Sequence, residues 1–279
     1  MKKVLITGAN SYIGDSFKKY LEEVTENSQY TVDILDTVGL TVKSDLFFGY
    51  NVVFNVAGIA HIRETDENRH LYDMVNHKLS IEIAKAAKEA GVDQFILLST
   101  MSVYGKVTGH ILKSTRPAPT NAYGISKLKA DEAIVKLDDD QFKVAILRPP
   151  MVYGNGCKGN YQSLRKLTLL SPVFPAYKNK RSMIFIGNLC EFVKRVIDSN
   201  ASGLFFPQNK EYVSTRQLVK NIAMNNGKQI LVSSVFNFAV HLFSNMNVVK
   251  KVFGNLTYEK VDTVSLYDFE TSIALTEKS

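Results

Sequence analysis

Only two cysteines, Cys157 and Cys190, occur in 279 residues. Their spacing matches no paired metal motif and they are too few for a disulfide framework, so a reducing cytoplasm is the expected compartment and no metal site is expected. Long apolar runs are missing as well. Met1-Lys2-Lys3 is followed by only Val4-Leu5-Ile6 before Thr7-Gly8, which reads as a strand and not as a secretory segment. The most apolar later stretch, Ile230 to Phe243, is interrupted by Ser233, Ser234, Asn237 and His241, and it falls short of the roughly 20 residues a membrane span requires. There is no internal repeat and no low-complexity tract. With 45% hydrophobic and 22% charged residues, the chain is neither disordered nor collagenous. Its formal net charge of +7 attracts polyanions, but charge alone does not choose between nucleic acid, anionic lipid and a small phosphorylated substrate.

What the sequence has is alternation. Lys3 to Thr7 reads as a buried strand, and Ile13 to Val24 as a helix with Ile13, Phe17, Leu21 and Val24 on one face. Strands follow at 31–35 and 51–56, the latter continuously apolar as expected where helices cover both faces of a parallel sheet. A helix over 71–90 is stopped by Gly91, and then come a strand at 94–99, a helix at 121–137 and a strand at 143–147. Strands alternating with helices predict an α/β fold, a doubly wound parallel sheet, over residues 1–150. Beyond Pro150 glycines and prolines mark loops. Helices are expected at 161–170, 189–197, 215–224 and 232–243, with a strand at 183–186. Residues 151–279 then form a small substrate lobe, parts of it interleaved with the first domain. The stretch from Val232 has an apolar face at helical spacing, and packing onto that lobe is preferred to a membrane-surface role.

The first strand runs into Thr7-Gly8-Ala9-Asn10-Ser11-Tyr12-Ile13-Gly14 and a helix. Free N–H groups and the positive end of the helix dipole suit a pyrophosphate there, and glycines allow close approach. Asp36 falls 22 residues beyond Gly14, at the end of the second strand. A carboxylate there accepts hydrogen bonds from a ribose diol and repels a 2′-phosphate, which favours NAD over NADP.

The fourth strand ends in Ser99-Thr100-Met101-Ser102-Val103-Tyr104-Gly105, and Tyr123-Gly124-Ile125-Ser126-Lys127 follows. Tyr123 and Lys127 are four apart, one helical turn. A phenol titrates near 10 and acts as a base near neutrality only beside a positive charge, which Lys127 is placed to supply. A strand-four hydroxyl can share the substrate oxygen. Alone, a Tyr-x-x-x-Lys pair is common by chance. Downstream of a nucleotide turn and a Ser/Thr-ending strand, catalysis is the better reading.

Together these segments resemble the extended short-chain dehydrogenase/reductase family, in the branch of nucleotide-sugar epimerases, dehydratases and 4-ketoreductases. The resemblance rests on Thr7 through Gly14, Asp45-Leu46, Val56-Ala57-Gly58, Asn76, Ser99 through Gly105, Tyr123 through Lys127, Arg148-Pro149, Tyr153-Gly154, Arg181 and Phe185 through Leu189. It implies that Gly8, Ser11, Tyr12, Ile13 and Gly14 hold the pyrophosphate and Asp36 the ribose, and that Asp45 and Leu46 border the adenine. Ala57 and Gly58 pass under the cofactor, and Asn76 joins the cofactor-binding set. Tyr123 is the implied proton acceptor, Lys127 its partner and nicotinamide-ribose ligand, and Thr100 the hydroxyl helper. Arg181 stands where the family grips the substrate diphosphate, a task that suits a guanidinium.

Two positions depart from the family pattern. Ser11 replaces the middle glycine of the turn, and Met151 replaces an Asn that contacts the nucleotide-sugar, with Asn160 as its candidate substitute. Met101-Ser102 offers no acid/base pair for dehydration. The expected function is therefore 4-epimerisation of a UDP- or other NDP-hexose with NAD, the alternatives being a UDP-4-keto-sugar reductase and a non-catalytic cofactor-sensing regulator. No nucleic-acid or membrane partner is expected, and a homodimer through the Tyr123 helix is. His61, His77, Cys157 and the Asp138-Asp139-Asp140 run are read as structural or solvated.

Overall fold

Consecutive apolar residues at Val4, Leu5 and Ile6 let the first strand, β1 (Lys2–Thr7), be buried on both faces. A computed structural model of the chain describes residues 1–24, 29–60, 62 and 64–278, so His61 lies outside them. Following β1 are α1 (Tyr12–Val24), β2 (Tyr30–Leu35), β3 (Val52–Asn55), α2 (Ser80–Glu89), β4 (Gln94–Leu98), α3 (Ala122–Ile134), β5 (Lys143–Leu147), α4 (Ile186–Asp198) and β6 (Gly203–Phe205). The six strands form one parallel sheet in the order β6-β5-β4-β3-β1-β2. The order reverses between β1 and β3, so the crevice at the C-terminal ends of these two strands is the topological switch point where such sheets bind ligands.

The sheet is covered on both faces. Leu5, Val53, Phe95, Leu97, Val144 and Ile146 form one core face with Ala130 and Ile134 of α3 and Ile83, Ala84 and Ala87 of α2. On the other, Phe17 of α1 meets Phe54 edge-on at 5.4 Å. The helix expected over 71–90 contains a π-helical segment, Asp73–Leu79, ahead of α2, and wide turns of this kind often accompany functional positions.

Two compact units are formed. One comprises Met1–Gly105, Pro117–Pro149 and Cys190–Phe205; the other comprises Lys106–Arg116, Pro150–Leu189 and Phe206–Ser279. The second unit holds four two-stranded parallel pairs, among them Met151–Tyr153 with Met183–Phe185 and Gly109–Ile111 with Leu256–Tyr258. Its core is aromatic: Tyr153 stacks on Tyr161 at 5.7 Å and Phe206 on Tyr258 at 4.2 Å. Beneath them, the buried Glu277 carboxylate accepts from Tyr161, Arg165 and Asn226. Helices at Asn160–Leu170 and Thr215–Asn225 agree with expectation. The expected helix over 232–243 does not form as one element. The chain runs instead as a strand, Leu231–Ser233, a 3-10 turn, Ser234–Phe236, and a short helix, Asn237–Leu242. The helical period is kept, but pairing of Leu231–Ser233 with Val173–Pro175 takes the first residues into an extended conformation.

Candidate active site

The nucleotide turn is built by close backbone packing. Gly8 has φ +98°, and a Cβ there would lie 2.8 Å from Ala57 Cα. The turn after β1 therefore rests against the loop after β3, which only glycine permits. Gly8 N–H donates to the Leu35 carbonyl at 2.9 Å, which sets Asp36 beside the turn. Ser11, in place of the family's middle glycine, accepts the Gly14 N–H at 3.4 Å as the helix cap, while Gly14 brings α1 against Ile6 and Val56. Serine at this place supplies a cap without bulk.

Asp36 is exposed, with one carboxylate oxygen accepting the Val38 N–H at 3.0 Å. Asp45 and Leu46 lie in a 3-10 turn, Ser44–Phe47, where Asp45 is exposed and Leu46 packs against the core. Asn76 is fully buried. Its Oδ1 accepts the Ile59 N–H at 2.8 Å, and its Nδ2 donates to the Ile59 carbonyl at 3.0 Å and to Ser126 Oγ at 3.3 Å. Both ends of the amide are thus spent pinning the Ala57–Gly58 loop to α3. Gly58 is held just as closely, since a Cβ there would meet Asn76 Oδ1 at 2.9 Å and Lys127 Nζ at 3.1 Å.

The three residues expected to be catalytic lie on α3 and just after β4. Asn121 caps α3 by accepting the Gly124 N–H at 2.8 Å. Gly124 lets the first turn approach the Ser102 carbonyl, 2.7 Å from where a Cβ would stand. Thr100, just after β4, caps the following turn by accepting the Ser102 N–H. Burial pushes the Tyr123 phenol up; the Thr100 hydroxyl pulls it down, and Asp131 and Tyr72 push it further up. Lys127 is buried, and its Nζ donates to the Leu98 carbonyl at 2.9 Å. Burial brings its ammonium down to about 8, with Asp131 pulling the other way.

A residue not singled out in the sequence completes the arrangement. Asp131, a further turn along α3, accepts Ser99 Oγ at 2.8 Å and Arg148 Nε at 2.9 Å, and Arg148 Nη1 donates to the Tyr104 hydroxyl at 2.8 Å. Its signal is the 123/127/131 spacing, which puts a third polar group on the buried face of one helix. His77 bonds Asp73 at 3.0 Å along its own helix, consistent with a structural part. Both cysteines are buried, with thiols pushed up by burial. Among the described residues no group of three potential metal ligands occurs.

Asn160 and Arg181 belong to the second unit. Asn160 is exposed at the start of the Asn160–Leu170 helix. Arg181 exchanges backbone hydrogen bonds with Val213, and its Nη1 donates to the Gly254 carbonyl at 3.0 Å. Burial lowers its guanidinium from the usual range, and an arginine keeps its charge.

The first unit's residues fit a dinucleotide: a glycine-floored turn at a helix start for the pyrophosphate, an exposed carboxylate beside it for the ribose, and a buried lysine under the adjoining loop. Fold and nucleotide turn thus define a dinucleotide-dependent enzyme, with Tyr123 and Lys127 one turn apart on α3. The chain belongs to the NAD dependent epimerase/dehydratase family, whose model matches residues 4–204, and NAD is its cofactor. It is 29% identical over 286 aligned positions to a UDP-glucose 4-epimerase of Vibrio cholerae, covering 91% of this chain and 86% of the relative. It is 27% identical to an N-acetyl-α-D-glucosaminyl-diphospho-ditrans,octacis-undecaprenol 4-epimerase of Escherichia coli O157:H7, over 65% of this chain and 56% of that one. A UDP-glucuronic acid 4-epimerase of Bacillus cereus, solved in complex with NAD, superimposes with a TM-score of 0.75 at 17% identity, covering 99% of this chain and 97% of the other.

Proposed function

We propose that the protein is an NAD-dependent 4-epimerase of a UDP-hexose. The observation that carries this reading is the Tyr123 phenol, near enough to the Thr100 hydroxyl to be pulled down by it, and one turn from the buried Lys127. Tyr123 Oη is the atom that takes the proton from the sugar 4-hydroxyl and returns it, and Thr100 Oγ1 shares that hydroxyl and fixes its direction. Lys127 binds the nicotinamide ribose and adds positive charge on the side of the phenol. NAD, when bound, supplies the two-electron acceptor that makes a 4-keto sugar reachable and is restored in the same turnover. Gly8, Ser11, Tyr12, Ile13 and Gly14 hold the pyrophosphate, Asp36 the adenine ribose, Asp45 and Leu46 the adenine edge, and Ala57 and Gly58 the floor; Asn76 acts by fixing that floor. Arg181 and Asn160 take the substrate diphosphate and sugar. UDP as the carrier is supported by the names of the Vibrio and Bacillus proteins. Unpaired, buried cysteines favour work in the cytoplasm, and exposed Leu71, Met74 and Ile125 favour a homodimer through the Tyr123 helix.

The test is interconversion of UDP-glucose and UDP-galactose by purified protein. NAD is expected to co-purify and no NADH to accumulate. Tyr123→Phe is expected to lower turnover by about 10²–10⁴ while NAD stays bound. Stoichiometric NADH oxidation by a UDP-4-keto sugar, without epimerisation, makes the enzyme a reductase; near-normal turnover in the Phe variant removes Tyr123 as the base.

A further inference from the structure

The segment after Leu231 does not pack its apolar stripe away. Val235, Phe238 and Leu242 are 71%, 65% and 71% exposed, and they recur at three- and four-residue intervals through the turn Ser234–Phe236 and the helix Asn237–Leu242. That spacing puts them on one side, while Val240, off this stripe, is buried. Single exposed apolar residues are ordinary, but a contiguous ridge of large ones marks an interaction surface.

Charge says what kind. No acidic residue occurs between Glu211 and Glu259, a stretch holding Arg216, Lys220, Lys228, Lys250 and Lys251. Tyr177 lies edge-on to His241 at 5.5 Å and to Phe253 at 5.8 Å. These rings link the helix that carries the ridge to Lys178, next to Tyr177 in the chain, and to the helix Asn247–Phe253 with Lys250 and Lys251; Lys178 and Lys251 are exposed and Lys250 is half-buried. Lys228 is not part of this set, because its ammonium is turned onto the carbonyls of Thr168, Leu169 and Ser171. An apolar ridge flanked by lysines and free of nearby acids in sequence matches the layering of an anionic bilayer surface, acyl chains beneath phosphates. A second copy of the chain matches it less well, since a twofold contact sets the same patch against itself, lysine against lysine.

We propose that this ridge docks the protein peripherally on an anionic membrane, with Val235, Phe238 and Leu242 entering the boundary between headgroups and acyl chains and Lys178, Lys250 and Lys251 meeting lipid phosphates. The attachment lies on the bilayer and does not cross it, as no helix among the described residues is long and apolar enough to span one. This replaces the packing role that periodicity alone suggests for the segment, and it is independent of which sugar the enzyme turns over.

Flotation of the full chain with phosphatidylethanolamine vesicles containing about 30% phosphatidylglycerol, and with pure phosphatidylcholine vesicles, tests it. The protein is expected to float with the anionic vesicles only, and less so as salt rises from about 0.05 to about 0.5 M. Phe238→Ser/Leu242→Ser is expected to lower the partition coefficient roughly tenfold or more, and Lys250→Glu/Lys251→Glu to lower it as well. Both variants are expected to keep the wild-type melting profile and UDP-sugar turnover. Absence of wild-type flotation, flotation unchanged in both variants, or light scattering that shows a dimer lost in Phe238→Ser/Leu242→Ser would overturn the proposal.

Discussion

Replacing Asp131 with Asn removes one charge from the place where the Tyr123 helix meets the sheet. Asp131 is 3% and Arg148 7% exposed, and their side chains meet at 2.9 Å. Burial pushes the Asp131 carboxyl up, against the pull of Arg148, Ser99 and Lys127. Burial likewise opposes the Arg148 charge, but Asp131 and Tyr104 more than offset it and leave the guanidinium raised. With two cations and a hydroxyl converging on one carboxylate, we take the pair as ionised. An Asn at 131 strands Arg148 without a counter-charge, which costs about 3–5 kcal/mol, a large share of the roughly 5–15 kcal/mol that holds an ordinary domain together. The double substitution Asp131→Asn/Arg148→Met leaves neither member of this pair stranded, only Lys127 losing a counter-charge, and so loses less than the two single losses added. Urea unfolding of the four proteins, followed by circular dichroism, closes a double-mutant cycle. The expected coupling is about 3 kcal/mol, with the m-value unchanged. Additive losses, or an Asp131→Asn loss below about 1 kcal/mol, would refute an ionised buried pair.

Lys127 supplies a pH test. Its folded value of about 8 lies below the usual 10.5, so between them the unfolded chain binds more protons and stability rises with pH through that window, by up to about 3 kcal/mol. Lys127→Met is expected to flatten this rise in urea midpoints measured from about pH 7.5 to 10.5; identical slopes in variant and wild type count against a depressed lysine. Gly8→Ala puts a Cβ 2.8 Å from Ala57 Cα at φ +98°, with strain of about 1–3 kcal/mol, and calorimetry is expected to show weaker NAD binding. Unchanged affinity would remove the close-approach argument. Asp36→Ala is expected to narrow the preference for NAD over NADP in the same titration, and an unaltered ratio would move the ribose contact elsewhere. In the second unit, Glu277→Gln weakens the acceptor shared by Tyr161, Arg165 and Asn226 and is expected to cost about 2 kcal/mol by thermal unfolding. A loss near zero would mean that the network relaxes around the amide.

Much of the first unit is readable in the chain because its signals are local. Strand, turn and helix follow from periodicity and glycine at 3–24, and Tyr123 and Lys127 share a face because one helix carries both. Asp131 sits at the next step of that same spacing. Its partners Ser99 and Arg148 end two neighbouring strands, however, and nothing local foretells that those strands lie side by side. Asn76 was singled out through the family resemblance, but its part in holding the loop is a matter of which carbonyl and N–H it reaches, 17 residues away.

The sequence by itself determined the alternating fold of the first 150 residues, the nucleotide turn and the Tyr123–Lys127 pair, since each depends on spacing within one element or between adjacent ones. Tertiary structure decided the rest. It set the strand order that makes the crevice, drew Gly109–Ile111 into the second unit, buried Asp131 against Arg148, and turned Val235, Phe238 and Leu242 outward. Periodicity shows that an apolar face exists, but which neighbour covers it, or that none does, is fixed only when distant parts of the chain come together.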